Sequence, residues 1–139
     1  MITITSHPLV SGSASGTVLK LAEPLSLWGG LEPTTGEIID RRHPQSGQIV
    51  TGRILVMPSG RGSSSASSIL LEAVRLHTAP AAIITAEVDG ILALGAVVAQ
   101  ELYTSALPLL VVNPEDYARL ANGQHIGIAQ DGCMTIADL

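Results

Sequence analysis

The run Ile54-Leu-Val-Met-Pro-Ser-Gly-Arg-Gly-Ser-Ser-Ser-Ala-Ser-Ser-Ile-Leu-Leu-Glu-Ala-Val-Arg-Leu-His77 decides how this chain folds, because its hydrophobic period changes partway along. Ile54–Met57 is continuously apolar, the pattern of a strand buried on both faces of a sheet. From Ser64 to His77 the spacing turns helical, with Ala66, Ile69, Leu70, Ala73, Val74 and His77 on one face. Ser68, Glu72 and Arg75 fall opposite, and Glu72 and Arg75 are spaced to pair across one turn. Between the two lies a glycine- and serine-rich turn. A buried strand feeding an amphipathic helix is the first half of a right-handed βαβ unit on a parallel sheet.

The flanking sequence extends that pattern. Ala81–Thr85 and Leu109–Val112 are further short apolar runs that read as buried strands. Gly90–Tyr103 between them is helical and apolar nearly all round, so it is expected to be buried against the sheet or a partner. A third helix is signalled by Asn113 as N-cap, Pro114 at the first position and Glu115 and Asp116 in the first turn, with Gly123 expected to end it. His125–Ala129 and Cys133–Ala137 read as closing strands, and Ile2–Thr5 and Gly16–Leu21 as early ones forming a second β layer. Glu23–Gln48 is irregular and rich in Gly, Pro and Thr, with Ile38–Ile39 as a brief strand. Loops of this length are uncommon unless they bind something. The expectation is a single α/β domain over residues 1–139, with a mostly parallel sheet, helices and a second β layer.

Composition narrows the function classes. The chain is 46% hydrophobic and only 14% charged, which argues against disorder and fits a subunit that covers part of its surface with a partner. Its net charge of −5 and its three aromatic residues, Trp28, Tyr103 and Tyr117, argue against a nucleic-acid groove, which needs basic side chains and stacking platforms. The longest apolar run, Ile91–Ala99, is far short of the ~20 residues that span a bilayer. Met1–Val10 lacks the basic and apolar regions of a secretory signal, so a cytoplasmic location is expected. The lone Cys133 forms no internal disulfide and cannot hold an iron–sulfur cluster, which takes several thiolates.

The chemistry centres on Pro58–Ser67. A turn from a parallel strand into a helix lies at the C-terminal edge of the sheet, where α/β proteins bind ligands. Gly60 and Gly62 admit close backbone approach, the helix start offers unpaired N–H groups, and Arg61 adds a bidentate donor. The turn lacks the lysine of a P-loop and has Ser65 where the dinucleotide fingerprint has its third glycine. Two readings therefore stand side by side: an anion site, or a turn whose serines only cap the helix.

Other residues carry weaker signals. Glu87 and Asp89 follow the second buried strand at the same edge; they are read first as caps of the next helix, and second as partners for Arg61 or a substrate amine. His43, before Pro44, is read as a turn residue and secondarily as a substrate or partner contact. His77 is placed on the apolar face as a core or C-terminal helix residue, His7 and His125 join no constellation, and Cys133 is expected to be packed. Trp28 either anchors an interface, together with the Trp28–Pro44 loop and the apolar Gly90–Tyr103 helix, or plugs the domain's own core.

Trp28-Gly29-Gly30, Pro33, Thr35-Gly36, Ile38-Ile39-Asp40 and His43-Pro44, followed by Gly60-Arg61-Gly62-Ser63 and Gly95, resemble the small subunit of aconitase X. The likeness runs from about Gly12 to the C-terminus. It implies a swivelling β/β/α domain, like the mobile domain of aconitase and isopropylmalate isomerase. It also implies a large-subunit partner, sometimes fused, that carries the iron–sulfur cluster. The family's members are dehydratases, acting on cis-3-hydroxy-L-proline in bacteria and on phosphomevalonate in the archaeal mevalonate route. By this resemblance Ser63 falls at the family's catalytic serine, the base, and the surrounding Gly60, Arg61, Gly62, Ser64 and Ser65 are expected to bind a small hydroxy acid. The wider aconitase group has Gly-Ser-Ser-Arg-Glu at this turn; here Ser65 stands in the arginine's place and Arg61 precedes the serines. Of the two substrates, cis-3-hydroxy-L-proline, giving Δ1-pyrroline-2-carboxylate, is the first expectation and phosphomevalonate the second. A non-catalytic anion-binding module acting alone is the third.

Overall fold

The computed structural model describes residues 2–61 and 64–137. Its centre is a run of parallel strands, β3 (Ala14–Lys20), β6 (Ile54–Met57), β7 (Ala82–Thr85) and β8 (Leu109–Val111), in that spatial order. Val18 pairs with Ile54, Ile54 with Ala82 and Ile83 with Leu109. Two crossovers build this core: α2 (Ala66–Arg75) joins β6 to β7, and α3 (Gly90–Tyr103) joins β7 to β8. β2 (His7–Val10) closes one edge antiparallel to β8. At the other edge β3 changes partner along its length. Its first half, Ala14–Thr17, runs antiparallel to β9 (His125–Ile128), and β10 (Cys133–Ile136) and β1 (Ile2–Thr5) follow.

Side-chain alternation turns this sheet into layers. Val18, Ile54, Val56, Ala82, Ile84 and Leu110 point to one side and pack against β1, β9 and β10 in one core cluster. Leu19, Leu55, Met57, Ile83 and Leu109 point to the other side and pack in a second cluster with α2 and α3. The order is therefore β/β/α. The second β layer differs in membership from the expectation: β1 and the first half of β3 belong to it, the closing strands complete it, and β2 instead edges the central sheet.

The stretch expected to be a long irregular loop is an ordered cover. It holds a kinked turn, α1 (Leu27–Gly30), and a hairpin of β4 (Leu31–Glu32) and β5 (Glu37–Ile38). Leu25, Leu27, Leu31, Ile38 and Val50 from this cover are buried in the helix-side core. His43 fastens it: its Nδ1 accepts from the Gln45 N–H at 3.0 Å, so Nε2 carries the hydrogen and donates to the Glu23 carbonyl at 3.1 Å. The turn role expected of His43 holds.

Two helix ends depart from expectation. α2 stops at Arg75 rather than His77, with the His77 N–H donating to Val74 O and the Thr78 N–H to Ala73 O, the paired bonds of a Schellman ending. His77 occupies the left-handed position of that ending (φ 61°) and is exposed, so it is not a core residue. The last helix, α4 (Pro114–Ala118), is capped as expected by Asn113, whose side chain accepts from the Asp116 N–H at 2.8 Å. It ends well before Gly123, because Leu120 turns into the core and Gly123 (φ 87°) serves the later turn into β9. Lys20 ties that end down, donating to the carbonyls of Tyr117 (3.2 Å) and Leu120 (2.8 Å) over the Tyr117 ring. Partial burial there pushes the Lys20 ammonium pKa down and the Tyr117 phenol up. No described helix is long and apolar enough to cross a membrane.

Candidate ligand site at the start of the first long helix

The turns after β6 and β7 lie side by side, because their strands are parallel neighbours. They meet at a pocket of about 220 Å³ lined by Gly60, Arg61 and Ala66 from the first connection and Asp89, Ile91 and Leu92 from the second. Leu25 and Leu27 of the cover complete the wall, and Leu25 forms a bridge with Gly60. These two leucines lie in a stretch without hydrophobic period, so nothing in the sequence marks them as pocket residues.

Asp89 defines one side. One of its carboxylate oxygens accepts from the N–H groups of Ile91 and Leu92, both at 3.0 Å, which caps α3 as expected. Its other oxygen lies against Gly60, where a methyl group on the Cα would collide with it. A Cβ at position 60 would therefore make the end of the Asp89 side chain shift, and no left-handed torsion is involved. Arg61 is exposed at the rim, and among the described residues neither Glu87 nor Asp89 pairs with it. Glu87 is exposed, and its carbonyl accepts from the buried Thr85 hydroxyl at 2.7 Å.

Among the described residues, Ser65, Ser67 and Ser68 do not act as side-chain caps of α2. Ser65 takes the N-cap place of α2 in a helical conformation and makes no side-chain cap bond. The hydroxyls of Ser67 and Ser68 donate backward, to the carbonyls of Ser64 (3.1 Å) and Ser65 (2.7 Å), rather than accepting from helix amides. Gly62 and Ser63 lie outside the described residues. Gly60 and Arg61 thus share a pocket with the first residue of α2, while Ser64 and Ser65 belong to the turn that leads into it.

Trp28 is 57% exposed, so it does not plug the core. Cys133 is half-buried in β10. The chain's single thiol cannot hold an iron–sulfur cluster, and no group of three His, Cys, Asp or Glu among the described residues is arranged for a metal.

A β/β/α domain that gathers glycine backbone, a guanidinium and a helix start at the C-terminal edge of parallel strands has the architecture of a swivel domain. The chain belongs to the aconitase X swivel-domain family, whose model matches residues 3–136. It is 47% identical over 128 residues, 87% of its length, to a cis-3-hydroxy-L-proline dehydratase of Pseudomonas aeruginosa, of which the match covers 22%. It is 34% identical over 136 residues to a phosphomevalonate dehydratase small subunit of Thermococcus gammatolerans, covering 97% of this chain and 98% of that one. In fold it is similar to aconitase X of Thermococcus kodakaraensis, solved in the holo form, with a TM-score of 0.89, 30% identity, and 99% of this chain and 100% of that one covered. The chain spans about a fifth of the length of the two cis-3-hydroxy-L-proline dehydratases it matches.

Proposed function

We propose that this chain is the small subunit of an aconitase-type dehydratase, a hydro-lyase that acts together with a large subunit. The observation that carries the reading is the pocket of Gly60, Arg61 and Asp89 at the start of α2, next in sequence to the Gly62-Ser63 pair of the family motif. Ser63 is the base that takes the substrate proton, and Gly60, Arg61, Gly62, Ser64 and Ser65 bind the substrate's carboxylate side. Removing a proton beside a carboxylate builds negative charge on it, so donors aimed there lower the barrier. A serine hydroxyl is a poor base by itself. The start of α2, backbone N–H groups and Arg61 stabilise the alkoxide form of Ser63. The iron–sulfur cluster belongs to the large subunit, because this chain's donor set does not fit one; there it supplies Lewis-acid chemistry.

Cis-3-hydroxy-L-proline, giving Δ1-pyrroline-2-carboxylate, is the favoured substrate. The identity of 47% to the P. aeruginosa dehydratase supports it, against 34% to the T. gammatolerans small subunit. Charge supports it too. Phosphomevalonate carries a phosphate and a carboxylate, whereas the pocket holds one basic side chain, Arg61, beside the carboxylate of Asp89. Phosphomevalonate is the second reading, supported by the likeness to the T. gammatolerans small subunit over 98% of that chain. Co-expression with the large subunit and assay of the purified pair on each compound decides: turnover of cis-3-hydroxy-L-proline is expected. Turnover of phosphomevalonate alone reverses the choice. A chain that binds anions but never pairs with a large subunit is a stand-alone binding module.

A further inference from the structure

α3 is apolar on two sides, and only one of them is covered. Leu92, Gly95, Ala96 and Ala99 are buried toward the sheet and α2. The two helices approach closely there, since a Cβ on Gly95 would lie 2.9 Å from the Ser67 carbonyl oxygen. The outward stripe carries Leu94 (58% exposed), Val97 and Leu102 (62%), with Glu101 as the one charge on the helix. Beside the stripe runs a shallow groove of about 170 Å³ between α2 and α3, walled by Ser67, Ser68, Leu71, Leu94, Gly95 and Val98. A helix apolar all round is ordinarily buried. This one leaves its outer face in water.

We propose that this stripe and groove are the seat of the large subunit, with the groove receiving an aliphatic or aromatic side chain from it. The inference rests on the two-subunit reading above. Position supports this occupant over others. Ile91 of α3 lines the ligand pocket, and the groove begins at Ser67 and Ser68 in the first turn of α2. Trp28 and Val88, both strongly exposed, neighbour the pocket residues Leu27 and Asp89. A body that closes over the pocket therefore comes down on the apolar stripe in the same movement. Chain length supports it as well: in the P. aeruginosa relative the matched segment is 22% of one polypeptide, so most of that protein lies outside this domain and has to meet it somewhere.

The test measures affinity between the full chain and its large subunit, for wild type, Leu94→Glu, Val97→Glu and, as a control on the opposite face, Glu115→Lys. Leu94 and Val97 are exposed, so neither change is expected to shift the thermal unfolding of the small chain, which is checked in parallel. Each stripe variant is expected to bind at least ~100-fold more weakly, a loss of hot-spot size, while the control binds as wild type does. Stripe variants that fold and bind normally overturn the proposal but leave the two-subunit reading intact. A wild-type chain that binds no large subunit overturns both. If the wild type self-associates and Leu94→Glu makes it monomeric, a second copy is the occupant and the proposal falls.

Discussion

The connections β6–α2 and β7–α3 start at neighbouring parallel strands and end in helices that pack together, yet they treat their helix starts differently. After β7 the chain commits a carboxylate to the amides: Asp89 takes two N–H groups and neutralises the positive end of α3. After β6 it offers serines, and at positions 67 and 68 their hydroxyls turn away to backbone carbonyls. One helix start is satisfied from within. At the other, Arg61 lies at the rim of a pocket that Ala66, the first residue of α2, also lines. The capped turn also bears on the other, because it sets the Asp89 carboxylate against Gly60.

Removing the chemistry from the serine-rich turn tests the contrast most severely. Ser63→Ala is expected to leave assembly with the large subunit intact and to slow dehydration at least ~10²-fold, as loss of an acid–base group does. Near-normal turnover by that variant shifts the role to Ser64 or to the partner. The next effect links the two turns. Gly60→Ala forces the Asp89 carboxylate to swing away, and the two amide bonds it holds are lost or distorted. A loss of about 1–2 kcal/mol in chemical denaturation is expected, the size of a forfeited cap plus local crowding. In an Asp89→Ala background the same change is expected to cost much less. Full additivity in that double-mutant cycle contradicts the contact.

Much of this contrast is legible in the sequence, and what is not has a physical cause. Ile54–Met57 and Leu109–Val111 are largely buried on both faces, so their apolar runs need no partner to be recognised as strands. The α3 bounds match the expectation because Asp89 is a cap in sequence as well as in space. β2 escapes a reading by pattern because Pro8 interrupts a short edge segment and antiparallel edge strands need little apolar pattern. The split of β3 between two partners is hidden because period two reports faces, not neighbours. His77 reads as helical because the left-handed ending of α2 uses a histidine where glycine is the usual signal. At the site, Gly60, Arg61 and Asp89 sit beyond strand ends, where the sequence marks them. Leu25 and Leu27 reach the pocket only through the tertiary folding of an aperiodic cover.

The smallest effects separate the two things that Asp89 does. Asp89→Ala removes the acceptor and is expected to cost about 1 kcal/mol, lowering the midpoint of thermal unfolding by about 3 °C for a chain of this size. An asparagine side chain keeps an acceptor oxygen with nearly the same cap preference, so Asp89→Asn is expected to stay within a few tenths of a kcal/mol of wild type. The comparison isolates geometry from charge. If Asp89→Asn destabilises as much as Asp89→Ala, the negative charge at the positive end of α3 matters more than the two hydrogen bonds. The β7–α3 turn is then held electrostatically rather than by its hydrogen bonds. Thermal unfolding at low and high salt distinguishes these further, since exposed charge effects are screened whereas the cap hydrogen bonds persist.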